Sequence, residues 1–256
     1  MLRRATMPVS AWMVDAIDPQ PGHTVLELAA GPGDTGFLAA ELIQPGGTLT
    51  SSDFAPEMLS VAQRRAEAMG IPGVRFRQID AESAIDQDAA SVDGVLCRWG
   101  YMLMADPGTA LRETRRVLKP GGRLALAAWT GPEENHWSAL GHDELARRGL
   151  SEAADPDAPG QFRWAADGLV AEQLEAAGFI EPQVVLVGFT MRYASFEDWW
   201  DAQRDMALRF RLTVDALDPA TREEVRAAMR AAAEPHARPD GSLAIPAQTW
   251  VAAASA

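Results

Sequence analysis

Short apolar strands alternate with amphipathic helices between residues 24 and 129, and this alternation constrains the fold more than any other feature. Val25, Leu26 and Leu28 mark a strand over 24–28, and a helix from about Asp34 follows with Phe37, Leu38, Leu42 and Ile43. Gln44-Pro45-Gly46-Gly47 breaks that helix before a second strand, 48–52, which ends at Asp53. Pro56 suits a first helical turn, and Met58, Ala62, Ala66 and Met69 carry that helix to Gly70. A third strand, 74–79, alternates at period two and ends at Asp80; a fourth covers 92–96. Asp106-Pro107 supplies an N-cap and first-turn proline for the next helix, which Lys119-Pro120-Gly121-Gly122 stops. The fifth strand, 123–129, is almost continuously apolar, as a strand buried on both faces must be. Strand–helix alternation of this kind predicts an α/β fold with a doubly wound parallel sheet.

Around that frame, Val9, Trp12, Met13 and Ile17 predict a lead helix within 1–22. Residues 130–165, with Pro132, Pro156 and Pro159, predict a long loop holding one helix near 138–149. A helix over 167–177, a sixth strand over 184–191 and a last strand over 247–254 complete the order. Ser195-Phe196-Glu197-Asp198 resembles a capping box, and Asp218-Pro219 opens a further helix to Ala233. The two helices of 195–245 are expected as an insertion between the last two strands, with too few apolar residues for a core of their own. One domain over 1–256 is therefore expected. Apolar residues make up 47 % of the 256, yet none of their runs approaches membrane-span length. The N-terminal Met1-Leu2-Arg3-Arg4 has no apolar run behind it to make a signal peptide. The single cysteine, Cys97, excludes an internal disulfide and a multi-thiolate metal site, and no metal is expected. A net charge of −13 without a basic cluster disfavours nucleic acid. The balance points to a cytoplasmic enzyme acting on a small molecule, with the oligomeric state left open.

Within the first strand–turn–helix unit, Gly31-Pro32-Gly33-Asp34-Thr35-Gly36 fits G-x-G-x-x-G, and Asp53 stands at the end of the next strand. Glycines let a ligand approach the backbone at a helix N-terminus, and a carboxylate can accept both hydroxyls of a ribose. Neither property says which nucleoside sits there. Three further features bear on it. Glu27 lies inside the first strand, where a buried carboxylate must be paired or hydrogen-bonded and would suit a positively charged ligand group. Asp80 ends the third strand, where an acid can meet an adenine edge. Leu118-Lys119-Pro120-Gly121-Gly122-Arg123-Leu124 joins a helix to the fifth strand.

Glu27-Leu28-Ala29-Ala30-Gly31-Pro32-Gly33, together with Asp53, Asp80 and 118–124, resembles the class I S-adenosylmethionine-dependent methyltransferases. The likeness is to the small-molecule branch that includes the ubiquinone/menaquinone-biosynthesis C-methyltransferases, and it covers about residues 8–190. It implies a seven-stranded Rossmann-like sheet with the last strand antiparallel, S-adenosylmethionine as cofactor and S-adenosylhomocysteine as product. Carried over by position, Ala29, Gly31 and Gly33 would lie along the methionine part of the cofactor. Glu27 would hold the turn and face the amino group. Asp53 would bind the ribose hydroxyls, Phe54 would flank the adenine, and Asp80 with Ala81 would meet its amino edge. Arg98 would contribute mainly backbone near the methionine tail.

Methyl transfer asks for alignment and water exclusion more than for an acid or base, and aromatic faces suit a cationic donor. Trp12, Trp99, Trp129, Trp137 and Trp164 lie in the lead helix, after the fourth strand or from the end of the fifth strand onward, and most should gather at the C-terminal ends of the strands. Trp12, Trp99, Tyr101, Met102, Trp129 and Trp137 are the expected substrate pocket, with 98–102 as its floor and 130–165 as its cover. If the acceptor needs a base, His136 and Tyr101 are the candidates. The reaction expected is methyl transfer to a small apolar or aromatic acceptor. Two alternatives stand beside it: a nicotinamide-dependent oxidoreductase, favoured by the glycine pattern and Asp53, and an S-adenosylmethionine-binding protein with non-methylating chemistry such as cyclisation.

Overall fold

The computed structural model describes residues 2–151, 155 and 158–256; Pro156 and residues 152–154 of the predicted cover lie outside them. The elements run α1 (Leu2–Ala16), β1 (Thr24–Glu27), α2 (Gly36–Leu42), β2 (Thr48–Asp53), α3 (Pro56–Met69), β3 (Val74–Gln78), β4 (Val92–Arg98), α4 (Pro107–Val117) and β5 (Leu118–Trp129). They continue with α5 (His136–Arg147), α6 (Leu169–Ala176), β6 (Ile180–Tyr193), α7 (Phe196–Met206), α8 (Leu208–Ala216), α9 (Pro219–Ala233) and β7 (Leu243–Ser255). The strands form one seven-stranded sheet in the order β3-β2-β1-β4-β5-β7-β6. The pairs β1–β2, β1–β4, β2–β3 and β4–β5 are parallel, whereas β7 runs antiparallel to β5. The doubly wound sheet with an antiparallel last strand is thus the observed architecture.

Residue contacts divide the chain into two compact units. One holds Thr6–Thr130, Asp157–Val187 and Thr249–Ala256, and the other holds Met1–Ala5, Gly131–Pro156 and Gly188–Gln248, in each case for the described residues. In the sheet unit, Leu26, Val95, Leu96, Leu124 and Leu126 are fully buried, as expected of central strands covered on both faces. Asp106 caps α4 by accepting from the Thr109 N–H at 2.9 Å, and Gly70 closes α3 in the left-handed conformation. At the N-terminal edge of the strands, Asp93 accepts from Lys119 Nζ at 2.7 Å and from the Thr24 N–H at 2.8 Å. Lys119 therefore secures the edge of the sheet opposite to the strand C-termini.

Three boundaries differ from the sequence expectation. Helix α2 starts at Gly36 rather than at about Asp34, because 30–35 form a turn closed by the Gly33 N–H on the Ala30 carbonyl at 2.9 Å. Strand β5 begins at Leu118: residue 118 already pairs with Val92, and the 119–122 stretch is a register shift inside the strand rather than a stop before it. The 195–245 segment holds three α-helices, not two. The one missed, α8, reads Leu208, Phe210, Leu212, Val214 at period two; the structure buries only Phe210 and Val214, four residues apart, and leaves Leu208 and Leu212 exposed.

In the second unit α7 starts where expected, with Ser195 Oγ accepting from the Asp198 N–H at 3.2 Å, and α9 is capped by Asp218. Phe196, Trp199, Trp200, Phe210, Val214, Val225 and Met229 are buried there. Trp200 meets Phe210 edge-on at 5.5 Å. A Cβ on Gly141 of α5 would lie 2.9 Å from the Phe210 ring, so that glycine admits the ring. Arg148 bonds Glu144 of α5 and Glu224 of α9, tying these helices together. No helix among the described residues is long and apolar enough to cross a membrane.

Candidate functional site

Strands β1, β2 and β4 lie side by side and parallel, so Glu27, Asp53 and Arg98, each the last residue of its strand, come to one edge of the sheet. The strand order reverses at β1, which makes the crevice beside it the place where an open α/β sheet binds ligands. The chain after β1 enters that crevice by the Leu28 N–H donating to the Leu96 carbonyl at 2.8 Å and the Ala30 N–H to Ser52 at 2.9 Å. Ala29, Gly31 and Gly33 then adopt positive φ angles of 49°, 53° and 83°. At Gly33 a Cβ would stand 2.4 Å from the Phe37 ring; at Gly31 it would meet only open space. The first of these glycines is needed for packing, and the second leaves backbone bare toward an approaching ligand.

Glu27 is 3 % exposed. Its Oε1 accepts from the Gly36 N–H at 2.7 Å and its Oε2 from Ser51 Oγ at 3.2 Å. Burial pushes its pKa up from 4.5 to about 7, opposed by the Gly36 N–H, the Arg98 charge and Ser51. Glu27 therefore holds the first turn of α2. A Cβ at position 36 would fall 2.2 Å from Glu27 Oε2: the third glycine of the motif makes room for a carboxylate. The half-buried Asp53 completes the turn from β2. Its Oδ2 accepts from the Gly31 N–H at 2.8 Å and its Oδ1 from the Ala55 N–H at 2.9 Å. The remaining lone pairs of both oxygens are available to a polyol.

Arg98 does more than supply backbone. Its side chain is 11 % exposed, with Nη1 donating to Thr6 Oγ1 at 2.9 Å and to Ser10 Oγ at 3.1 Å, and Nη2 to Asp34 Oδ2 at 3.4 Å. Asp34 also accepts from Arg65 of α3 at 2.8 Å, and Arg65 bonds the Pro32 carbonyl. Ser10 Oγ lies 2.9 Å from Thr35 Oγ1. Burial lowers the Arg98 pKa, opposed by Asp34 and Glu27. Asp34, Thr35, Arg65, Thr6 and Ser10 did not stand out from the sequence; only the two acid–base types, Asp34 and Arg65, carried any signal, and nothing marked them as partners.

Phe54 is 69 % exposed beside Asp53, with its carbonyl accepting from Gln78 Nε2 at 2.9 Å. Asp80 is exposed past β3, accepting from the Glu82 N–H at 3.0 Å, and Ala81 is buried. Beyond β4, Trp99 sits at φ 59°, a strained conformation for a bulky residue. Three contacts hold it there. Its N–H donates to the Ala127 carbonyl at 2.9 Å, its Nε1 donates to Thr249 Oγ1 at 3.0 Å, and its ring stacks on Trp129 at 4.3 Å. The Arg98 guanidinium lies 4.8 Å from the Trp99 ring centre. Trp12 is half-buried on α1.

Tyr101 and Met102 are buried, and the Tyr101 ring stacks on Trp164 at 6.0 Å. The Tyr101 hydroxyl lies 2.7 Å from Thr114 Oγ1, which itself donates to the Ala110 carbonyl. Burial raises the Tyr101 pKa well above the phenol range, and the hydroxyl packs against α4. His136 is exposed in the other unit, with Nδ1 3.3 Å from His236 Nε2. Trp137 belongs to the same unit: it is buried, and its carbonyl accepts from Trp199 Nε1 and Gln203 Nε2, each at 2.8 Å. Cys97 is fully buried, and burial pushes its thiol up to about 12. No cluster of three or more His, Cys, Asp or Glu among the described residues is arranged to hold a metal ion.

Comparison with known proteins adds the following. A family model described as a methyltransferase domain matches residues 19–147. Nocamycin O-methyltransferase of Saccharothrix syringae is 31 % identical over 202 residues, which are 74 % of this chain and 71 % of that protein. Demethylmenaquinone methyltransferase of Thermus thermophilus is 42 % identical over 108 residues, 42 % of this chain and 48 % of that one. The chain spans about half the length of several curated relatives it matches. The solved YcgJ protein of Bacillus subtilis superposes with a TM-score of 0.64 at 20 % identity, covering 97 % of this chain and 98 % of the other, a likeness of fold.

Proposed function

The chain belongs to the methyltransferase-domain family, and we propose that it transfers a methyl group from S-adenosylmethionine to a small apolar or aromatic acceptor. The observation that carries this reading is the buried Glu27 carboxylate beneath the β1–α2 turn, flanked by the Asp53 carboxylate at the end of β2. An acid inside β1 suits a ligand that brings a positive amino group to that point, and a dinucleotide brings none there. The chain's own groups also fit the cofactor in shape: backbone is bare at Gly31, and Asp53 keeps acceptor capacity on both oxygens.

On this reading S-adenosylmethionine, when bound, supplies a sulfonium methyl group open to in-line attack. Asp53 receives the ribose hydroxyls, Ala29, Gly31 and Gly33 lie along the methionine portion, and Glu27 faces the amino group. Phe54 flanks the adenine, and Asp80 with Ala81 meets its exocyclic edge. Trp99 on Trp129 offers an aromatic surface next to Arg98; such a surface favours a cationic donor and a flat acceptor, and it excludes water. Met102 and the half-buried Trp12 belong to the same unit. Alignment supplies the rate; for an acceptor that needs a base, His136 and Tyr101 are the candidates.

Titration calorimetry with S-adenosylhomocysteine and with NAD tests the cofactor. Binding of S-adenosylhomocysteine with a normal single-site isotherm is the expected result. Binding of NAD alone would refute the proposal and return the site to a nicotinamide enzyme. The acceptor is tested by S-adenosylhomocysteine release on a panel of quinols and phenols.

A further inference from the structure

The Arg98 side chain joins two pieces of chain that the chemistry does not require to be joined. On one side is the β1–α2 turn, through Asp34 at 3.4 Å. On the other is α1, through Thr6 and Ser10 at 2.9 and 3.1 Å. Ser10 repeats the connection, since its hydroxyl also lies 2.9 Å from Thr35 Oγ1, one residue before α2. Thr6 and Ser10 are 0 % and 2 % exposed, so these bonds are made away from water, where each unsatisfied partner is costly. This guanidinium and this hydroxyl give α1 polar contacts with the turn, in a helix that also buries Val9 and Met13.

We infer that Arg98 is a positioning residue that couples docking of α1, from Thr6 onward, to the shape of the β1–α2 turn, so that cofactor binding and α1 docking stabilise one another. The inference rests on the reading of that turn as the S-adenosylmethionine site. Its physical basis is reciprocity: a ligand that fixes Asp34 and Thr35 also fixes the turn-side partners of Arg98 and of Ser10, and a docked α1 returns the same free energy to the ligand. Lysine cannot replace Arg98, because a single ammonium lacks the fork that reaches Asp34 and both hydroxyls from different nitrogens.

Hydrogen exchange of the α1 amides in the full chain, with and without S-adenosylhomocysteine, tests this against three forms: wild type, Arg98→Lys, and Thr6→Val with Ser10→Ala. The last removes the contacts from the α1 side alone and leaves Arg98, Asp34 and the turn intact. In the wild type, ligand should slow α1 exchange roughly tenfold, and both variants should lose that ligand-dependent increment while binding the ligand roughly tenfold more weakly. A merely structural Arg98 would raise exchange equally with and without ligand. Ligand-bound wild type with unchanged α1 exchange, or a double variant that keeps the increment and the affinity, would overturn the coupling while leaving the cofactor reading standing. A wild type that binds no S-adenosylhomocysteine at all would overturn the cofactor reading and the coupling with it.

Discussion

Replacing Glu27 by glutamine should make the protein more stable at alkaline pH and worse at binding its cofactor. In the folded chain burial raises the Glu27 pKa from 4.5 to about 7. Between those values the native state holds a proton that the unfolded chain has released, so stability falls as pH rises through the interval and is level above it. Each tenfold change in proton affinity is worth about 1.4 kcal/mol, so the ionised group costs the native state about 3 kcal/mol above pH 7. Glutamine has the same shape and no charge. Its carbonyl can accept from the Gly36 N–H, as Oε1 does at 2.7 Å, and its amide can donate to Ser51 Oγ, 3.2 Å from Oε2. Urea unfolding of both proteins from about pH 5 to about pH 9 reads the difference. The variant should match the wild type near the acid end and exceed it by up to about 3 kcal/mol at the alkaline end, while S-adenosylhomocysteine affinity drops. Parallel stability profiles across the range, or a variant less stable than wild type at alkaline pH, would refute the reasoning. Such an opposition of stability and binding is what a functional buried charge produces.

Asp53→Ala removes an acceptor and also frees the Gly31 and Ala55 N–H groups it now holds. Calorimetry should show S-adenosylhomocysteine binding weakened by about 1–3 kcal/mol, and unchanged affinity would count against the ribose assignment. Trp99→Phe keeps a ring against Trp129 but loses the Nε1 bond to Thr249; it should lower the thermal midpoint by the worth of one bond, about 1 kcal/mol. Acceptor turnover, followed by S-adenosylhomocysteine release, should suffer in that variant more than cofactor affinity does. In the other unit, burial and the facing His136 lower the His236 pKa. The unfolded chain then takes up that proton first as pH falls, so stability is lost on acidification below the ordinary imidazole range; His236→Gln should flatten this part of the melting-temperature profile.

What could be read from the sequence was whatever depends on neighbours close in the chain. Period-two and helical patterns located the strands and most helices, and Asp106, Ser195 and Asp218 announced their caps because a cap acts within three residues. Glu27 and Asp53 drew notice for local reasons: the first is an acid within an apolar strand, and the second stands at the end of the next one. The side chain of Arg98 did not, since its partners lie 64, 88 and 92 residues away and nothing local distinguishes a guanidinium that turns inward. The partner of the Tyr101 hydroxyl, a threonine of α4, was equally hidden. Helix α8 was lost to an alternating apolar pattern that mimics a strand. The strained Trp99 is another long-range product, held by Ala127, Trp129 and Thr249 rather than by its own preferences.

Gly36 and Glu27 form an ordered pair in descent. With the carboxylate beneath it, position 36 gains even a methyl group only if Glu27 moves aside, because that carbon would stand 2.2 Å from Oε2. Position 27 is under no matching restraint, for a shorter residue there leaves glycine unharmed. Loss of the acid therefore releases position 36, and an alanine there is expected beside a residue at 27 that is too short to reach it or has turned aside. Chains that keep Glu27 favour a bare backbone at the start of α2, although the backbone angle there is one that any residue adopts.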